Sequence, residues 1–249
     1  MVLDTRGVAL DGLINFHKPT GITSAKALYK VRAITRQRKS GHTGTLDPMA
    51  SGVLVLCLGR GTKLVERVMD QPKVYLAEAR LDRISDTFDE DGETRPVAVE
   101  SPPSAACVRE VLASFEGVYE QVPPAFSAVK VGGTPAYKLA RRRREVRLEP
   151  RPVRVYWVHL HDYEYPRLTV EVCCGRGTYV RALIRDWADR LGTGGCLTSL
   201  TRTRVGPFAI EEAWGLEDLE QQPDPEAWLI PLERARAMLR KPFVPPRPG

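Results

Sequence analysis

The apolar run Val53–Leu58 constrains the fold more than any other segment of this sequence. It holds six consecutive apolar residues, and glycines flank it at Gly52 and Gly59. A continuous run of this length between turn residues is typical of a buried β-strand. The chain must therefore build a sheet around this segment.

The remaining apolar patterns predict strands and helices that alternate without a regular βαβ rhythm. Strands are predicted at residues 13–16, 74–81, 118–122, 153–163, 168–174 and 197–205, and helices at about 23–34, 62–69, 104–115, 136–143, 178–191 and 226–239. Such an order favours an α+β fold with a mostly antiparallel sheet. No linker divides the chain, so we expect one domain over residues 1–240 and an irregular Pro-rich tail at 241–249.

The composition is that of an ordinary globular protein. Of 249 residues, 43% are hydrophobic and 27% are charged, which argues against disorder, collagen and coiled coil. No apolar run approaches the roughly 20 residues that span a bilayer, and the N-terminus lacks the apolar stretch of a signal peptide. The five cysteines show no CxxC spacing, which suits reduced thiols. We therefore expect a cytoplasmic protein.

The positive charge of the chain is concentrated in one stretch. Residues 138–154 contain eight basic side chains against Glu145 and Glu149, and so carry the whole net charge of +6. The basic residues are Lys138, Arg141, Arg142, Arg143, Arg144, Arg147, Arg151 and Arg154. Segregated charge is expected where one face binds a polyanion. An arginine run is equally typical of a solvated helix face, and the run alone leaves both interpretations open.

The segment Gly41–Gly52 directly precedes the apolar run and is predicted to be a loop. It contains three glycines and Pro48, and Asp47 stands before the proline, where an extended backbone is favoured. A carboxylate on such a loop, next to a buried strand, is well placed for chemistry. The loop alone is explained more simply as an Asp-Pro turn.

A resemblance to a known family favours a catalytic role for Asp47 over a simple Asp-Pro turn. Residues 41–59, GHTGTLDPMASGVLVLCLG, resemble the catalytic motif of the TruB-type tRNA pseudouridine synthases. Further segments resemble the family's motifs in the same order, namely residues 17–24, 61–63, 73–75, 85–89, 122–130, 137–141, 177–181 and 200–208. Asp82, Phe126 and Thr201 depart from the family pattern. Thr201 replaces an arginine, which puts one RNA or structural contact near the site in doubt.

The resemblance implies a fold, an activity and a substrate. The fold is the α+β pseudouridine synthase fold, a mostly antiparallel mixed sheet flanked by helices and loops, with a thumb-like RNA-binding insertion at about 124–150. The activity is isomerisation of uridine 55 in the T-loop of tRNA, with the base flipped out of the RNA. Because only 45 residues follow Arg204, we expect no C-terminal PUA domain.

The resemblance also assigns roles to particular residues. Asp47 is the indispensable catalytic carboxylate, Arg181 is its guanidinium partner, and Tyr75 stacks on the flipped uracil. Further residues are expected to bind the substrate or RNA: His42 in the T-loop, Lys18 and Lys63 as phosphate or electrostatic contacts, Tyr179 in the pocket, Leu200 as an apolar floor, and Arg141, Arg142, Arg143 and Arg144 on phosphates.

The expected reaction needs no cofactor and no metal, since the isomerisation adds and removes nothing. His159 and His161 share a strand face, but only one of the adjacent Cys173 and Cys174 could join them. Buried thiols explain these cysteines better than zinc does. The expected partner is the tRNA T-arm, with no membrane, no obligate protein partner and a monomeric state.

Two alternative functions remain beside that of a tRNA pseudouridine synthase. The first is a tRNA-folding or RNA-binding protein in which catalysis is secondary. The second is a guide-RNA-dependent synthase like dyskerin, which shares the catalytic domain.

Overall fold

The computed structural model describes residues 10–140, 142 and 146–248, and these form two compact units. Unit 1 combines residues up to Tyr75 with Leu200–Pro246, and unit 2 comprises Leu76–Ser199 with the residues after Pro246. No linker separates them. The chain passes from one unit to the other inside two strands, at Tyr75 and at Leu200.

The elements alternate along the chain much as the sequence patterns predict. The strands are β1 (Gly12–Lys18), β2 (Ser40–His42), β3 (Ser51–Leu58), β4 (Lys73–Arg80), β5 (Arg83–Ser85), β6 (Thr94–Pro96), β7 (Gly117–Gln121), β8 (Lys130–Val131), β9 (Thr134–Pro135), β10 (Arg151–Glu164), β11 (Arg167–Cys174), β12 (Cys196–Val205), β13 (Phe208–Ala209) and β14 (Ile230–Pro231). The α-helices are α1 (Ser24–Thr35), α2 (Val65–Met69), α3 (Ala105–Ser114), α4 (Ala136–Ala140), α5 (Val180–Leu191), α6 (Leu216–Gln221), α7 (Pro225–Trp228) and α8 (Leu232–Met238). The strands form mixed sheets flanked by helices, while β5 with β6 and β8 with β9 form separate two-stranded sheets. This confirms the predicted fold class.

In unit 1 the predicted buried strand, β3, is the centre of the sheet. It pairs antiparallel with β1 on one side and, on the other, antiparallel with β2 and parallel with β12. Every residue of β3 after Ser51 is buried. Val53, Val55 and Cys57 belong to one cluster with residues of β1, α2 and α8, so helices cover that face of the strand.

In unit 2 the strand order is β4-β11-β10-β7, and β10 pairs antiparallel with both β11 and β7. Helix α3 packs on β10 and on α5. Trp187 of α5 is fully buried, and its ring meets the edge of Phe115 at 6.4 Å between centroids. The antiparallel pairing of β10 with β11 confirms the hairpin predicted over residues 153–174.

The prediction of one helix over residues 226–239 is wrong. The chain forms α7, then the short strand β14, then α8. Pro231 explains the break, because proline lacks an N–H and disfavours helical backbone at the residue before it. Ile230 and Pro231 instead pair with Leu13 and Gly12 of β1.

The basic insertion is described only in part. Residues 124–150 contain β8, β9 and α4, which ends at Ala140. Arg142 is exposed. Arg141, Arg143 and Arg144, together with the end of the helix predicted over 136–143, lie outside the described residues. Among the described helices, none combines the length and apolar composition needed to cross a membrane.

Gly52 is a position where the fold requires glycine. Its φ is +103°, and a Cβ there would lie 2.3 Å from the carbonyl oxygen of Arg202 on the paired strand. We predict that Gly52→Ala lowers the free energy of unfolding by at least about 1–3 kcal/mol, because both the backbone strain and the clash must be relieved. Urea denaturation measures this.

Gly41→Ala is the matched control for this prediction. Gly41 has no positive φ, and a Cβ there would meet nothing within 4 Å. If both substitutions shifted the urea midpoint equally, the requirement for glycine at residue 52 would be refuted.

Candidate active site

The loop that carries Asp47 is held at several points within unit 1. Ser24, the first residue of α1, receives a hydrogen bond from the Leu46 N–H at 2.8 Å and donates to the Leu46 carbonyl at 3.1 Å. The Thr43 hydroxyl and N–H both donate to the Val55 carbonyl at 3.1 Å. The Ala50 N–H donates to the Asp47 carbonyl at 3.1 Å. The half-buried Asp47 side chain is therefore presented by a fixed backbone.

Lys18 lies beneath this loop and is fully buried. Its ammonium donates to the carbonyls of Pro19 and Ile22 at 2.8 Å and of Pro48 at 3.4 Å. Burial lowers the pKa of Lys18 to about 8, although the charge of Asp47 acts to raise it and that of Arg202 to lower it. Of the two roles expected for Lys18, burial disfavours contact with a phosphate and supports an electrostatic role beside Asp47.

Arg202 is the residue of unit 1 that sequence reasoning missed. Its side chain is 1% exposed. Its guanidinium donates to the Val53 carbonyl at 2.7 Å and to the Gly44 carbonyl at 3.2 Å. These contacts tie β12 to both β3 and the Asp47 loop. A signal did exist, because strand alternation places Arg202 on the same face as the buried Leu200.

Tyr75 and Leu200 are both buried in the same unit as Asp47. The Arg202 guanidinium donates to the Tyr75 hydroxyl at 3.5 Å and lies 5.9 Å from the centre of the tyrosine ring. At this distance a cation is attracted to the face of an aromatic ring. Arg202 therefore positions Tyr75 as well as the loop. Thr201, the departure from the family pattern, makes a 3.0 Å hydrogen bond with the Ser51 hydroxyl.

His42 ends β2, the strand that leads into the loop. Arg32 of α1 fixes the start of this strand through hydrogen bonds to the Ser40 hydroxyl at 2.7 Å and carbonyl at 2.8 Å. Burial first, and then the charge of Arg202, lower the pKa of His42, which favours neutral imidazole at pH 7. Its Nδ1 is buried without a hydrogen-bond partner among the described residues. The expected contact with RNA stays a prediction.

Lys63 is exposed and belongs to the other end of β3. The loop with Asp47 precedes Ser51, whereas Lys63 follows Leu58, and an eight-residue strand is about 23 Å long. Lys63 lines a cavity of about 340 Å³ with Asp11, Arg60, Glu233 and Arg236, among others. The structure thus does not bring Lys63 together with Asp47. The phosphate contact expected for Lys63 would lie away from the catalytic loop, and it stays a prediction.

Arg181 lies in the first turn of α5 in unit 2 and is 4% exposed. It donates to the carbonyls of Thr87 at 2.8 Å and Phe126 at 3.0 Å, and it forms an ion pair with Asp89 at 3.4 Å. The other oxygen of Asp89 accepts from the Thr87 hydroxyl at 2.5 Å. The motif at residues 85–89 contains Asp89, but the sequence did not identify Asp89 as a site residue. The pairing of Arg181 with Asp47 stays a prediction.

Tyr179 precedes Arg181 and is held by the buried Gln121. The Tyr179 N–H donates to the Gln121 side-chain oxygen at 2.9 Å, and the Gln121 amide donates to the Tyr179 carbonyl at 3.2 Å. Tyr179 lines a cavity of about 150 Å³ in unit 2, together with Arg151 and Arg176. Gln121 therefore fixes the backbone of Tyr179, directly before α5 and the arginine in its first turn.

The histidines and cysteines of unit 2 form no metal site in the part of the chain that the structure describes. His159 and His161 meet edge to face at 4.8 Å, and His161 lies 3.4 Å from Glu171. Cys173 is buried, and burial raises its pKa to about 12. This thiol is therefore neutral at physiological pH, which suits a core residue.

Comparison with known proteins identifies the same family that the sequence motifs resemble. Residues 32–180 match the TruB family pseudouridylate synthase N-terminal domain. A curated tRNA pseudouridine synthase B from Clostridium kluyveri is 39% identical over 229 residues, covering 91% of this chain and 78% of the relative. The protein of the same name from Francisella tularensis subsp. tularensis is 41% identical over 212 residues, covering 85% and 70%.

Two solved structures resemble this chain at 26% identity. One is a Cbf5-Nop10-Gar1 complex, with a TM-score of 0.72 over 95% of this chain and 66% of that chain. The other is an H/ACA RNP bound to a substrate RNA containing 2'-deoxyuridine, with a TM-score of 0.70 over 92% of this chain. This chain spans only 62% of the length of that second protein.

The buried ammonium of Lys18 makes stability depend on pH. With a folded-state pKa of about 8 against an ordinary value of 10.5, the unfolded chain binds a proton between these pH values that the folded chain has released. Stability from this group therefore rises as the pH increases from 8 to 10.5. We predict that the unfolding free energy of the wild type rises relative to Lys18→Met over this range in urea titrations. Parallel pH profiles would contradict it.

The buried pair Arg181–Asp89 predicts a non-additive response. Asp89→Ala removes the carboxylate from this buried ion pair, which costs about 3–5 kcal/mol of unfolding free energy. The double variant Asp89→Ala/Arg181→Met removes both charges of the pair, and we expect it to be more stable than the single variant. Urea denaturation of both variants measures this, and a double variant less stable than Asp89→Ala would refute the account.

Proposed function

This chain belongs to the TruB family of pseudouridylate synthases, and on that premise we propose that it is an enzyme that isomerises uridine to pseudouridine in tRNA. The observation that carries the proposal is the presentation of Asp47 in unit 1. Its loop is held by Ser24 and Arg202, the Lys18 ammonium interacts with its charge, and the same Arg202 contacts Tyr75.

The reaction moves one bond and needs no external reactant. The N1–C1′ glycosidic bond breaks, the uracil turns, and a C5–C1′ bond forms while the C5 proton is lost and N1 gains one. Asp47 acts on the sugar or the base of the flipped nucleotide, and its carboxylate reacts as the ionised form. Tyr75 supplies an aromatic face for the uracil, and its hydroxyl is a candidate for the late proton transfer at C5.

We propose the uridine at position 55 of the T-loop as the target, on the strength of the motifs at residues 41–59 and 177–181. The thumb-like insertion at 124–150 would bind the T-arm backbone, since arginines suit bidentate contact with phosphate. Its arginines position the RNA without reading its sequence. We expect a cytoplasmic monomer without a cofactor.

The two alternatives carry less support. The solved structures with TM-scores of 0.70 and 0.72 are an H/ACA RNP and a Cbf5-Nop10-Gar1 complex, which would suit guide-dependent action. The curated relatives at about 40% identity, however, are tRNA pseudouridine synthases. A protein that only binds RNA would not need a carboxylate fixed beside a buried ammonium. RNA folding remains compatible as a second activity.

We predict that the wild type releases tritium from a T-arm hairpin labelled at C5 of uridine 55, and that Asp47→Asn releases none above background while still binding the hairpin. The amide is nearly isosteric but cannot act as a nucleophile or base. Asp70→Asn, at an exposed residue after α2, is the matched control and should keep wild-type release.

Two outcomes would contradict the proposal. Equal release by Asp47→Asn and the wild type would remove Asp47 from the chemistry. Release from a labelled anticodon-arm hairpin, with none from the T-arm, would refute position 55 while leaving the activity in place.

A further inference from the structure

We propose that the exposed face of α1 is a second RNA-binding surface, which contacts the phosphate backbone through its basic residues and stacks one unpaired base on Tyr29. This face, the α1 basic face, consists of Lys26, Tyr29, Lys30 and Arg36. The proposal rests on the proposed function in that the RNA is the tRNA whose uridine reaches Asp47. It adds a surface outside both the catalytic loop and the thumb-like insertion.

The α1 basic face is not required to hold the helix in the fold. Helix α1 packs through Ser24, Ala27, Leu28, Val31 and Thr35, all of them buried. Lys26, Tyr29 and Lys30 lie on the opposite side of the helix, and Arg36 directly follows its last residue. All four residues are exposed. None of the four has an ion pair or side-chain hydrogen bond among the residues that the structure describes. Their side chains are therefore available to a ligand.

The charge pattern of α1 differs from that of an ordinary solvated helix. Such helices commonly place opposite charges four residues apart, whereas Lys26 and Lys30 have the same sign at that spacing, which disfavours an isolated helix. Between Asp11 and Asp47 the chain has no acidic residue at all and seven basic ones. The basic residues are Lys18, Lys26, Lys30, Arg32, Arg36, Arg38 and Lys39. A surface of one sign favours a polyanionic partner.

Tyr29 indicates that this polyanion is a nucleic acid. Its side chain is 72% exposed, which is the largest exposure among the large hydrophobic residues of the described chain. Ala25 and Ala33, one helical turn before and after it, are exposed and too short to cover the ring. An open aromatic face between basic side chains is the arrangement that stacks an unpaired base while phosphates are neutralised nearby.

The position of α1 places this face beside the loop that carries Asp47. Ser24, at the start of the helix, is bonded to Leu46, which precedes Asp47, and Arg32, near its end, is bonded to Ser40. The helix therefore lies along the segment that runs into the catalytic loop, and its twelve residues span about 18 Å. An RNA whose uridine reaches Asp47 has neighbouring nucleotides within reach of such a surface.

The neighbouring helix α6 sets the limit of the surface. It packs against α1 and carries the exposed acidic residues Glu217, Asp218 and Glu220. No ion pair joins them to Lys26 or Lys30 within the described ranges. The acidic side chains disfavour phosphate over α6, so the RNA path is confined to the α1 side.

The test is binding of a whole tRNA transcript by Lys26→Glu/Lys30→Glu over a range of salt concentrations. We expect weaker binding, and a plot of log affinity against log salt that is shallower by about 1.4–1.8, because each lost phosphate contact removes about 0.7–0.9 from the slope. Arg234→Glu/Lys241→Glu is the matched control, since both residues are exposed in unit 1 and the change in net charge is the same. It should leave the slope unchanged.

Tyr29 is tested separately from the charges. Tyr29→Ala should weaken tRNA binding by about fivefold or more, whereas Tyr29→Phe should retain wild-type affinity because stacking needs the ring and not the hydroxyl. Thermal unfolding of all variants should match the wild type, since none of these side chains is buried.

Failure of the inference can be told apart from failure of the proposed function. If the wild type releases tritium from the transcript but Lys26→Glu/Lys30→Glu binds with the wild-type slope, the α1 basic face is not an RNA surface. Equal losses in this variant and the control would mean that only net charge matters, which also overturns it. If the wild type binds the transcript without releasing tritium, the proposed function fails while the slopes still test this face.

Discussion

The guanidinium of Arg202 is the interaction on which the site in unit 1 depends. It is a buried charge that donates to three groups far apart in sequence, the carbonyls of Val53 and Gly44 and the hydroxyl of Tyr75. A buried charge is stable only where its hydrogen bonds are satisfied. Its planar fork presents five N–H donors in a fixed geometry, whereas a lysine has three donors that rotate about one nitrogen. One side chain therefore fixes the central strand, the catalytic loop and the aromatic residue in one arrangement.

Much of the fold and the outline of the site could be predicted from the sequence. The buried strand β3, the hairpin of β10 and β11, and helix α5 all follow from local apolar patterns, and the α+β pseudouridine synthase fold is confirmed. The wrong prediction, one helix over residues 226–239, came from giving amphipathic spacing more weight than Pro231. The residues that were missed are Arg202 and Asp89. Strand alternation indicates that Arg202 is buried, but the partners Gly44 and Tyr75 of Arg202 and the partner Arg181 of Asp89 come from distant segments, and no local pattern reports such partners.

The positive charges of unit 1 serve two distinct purposes. Lys18 and Arg202 are buried and bonded to backbone carbonyls, so they hold the loop. The charge of Lys18 interacts with that of Asp47, and the charge of Arg202 lowers the pKa of His42. Within the part of the chain that the structure describes, Lys26, Lys30 and Arg36 are exposed and make no such bonds, so their charge is available to phosphate. The sequence cannot separate Lys18 from the three exposed residues, because all four are basic residues within one acid-free stretch. Burial separates them, and of the two roles expected for Lys18 it favours the electrostatic one over the phosphate contact.

The central claim is that Asp47 meets a uridine that has left its RNA stack. The most direct measurement is a crystal structure of the Asp47→Asn variant bound to a T-arm hairpin. The account predicts that uridine 55 is flipped out, with its C1′ or uracil ring in van der Waals contact with the side chain of residue 47 and the base against the ring of Tyr75. A hairpin bound with uridine 55 still stacked, or with its base in a pocket away from residue 47, would contradict the account.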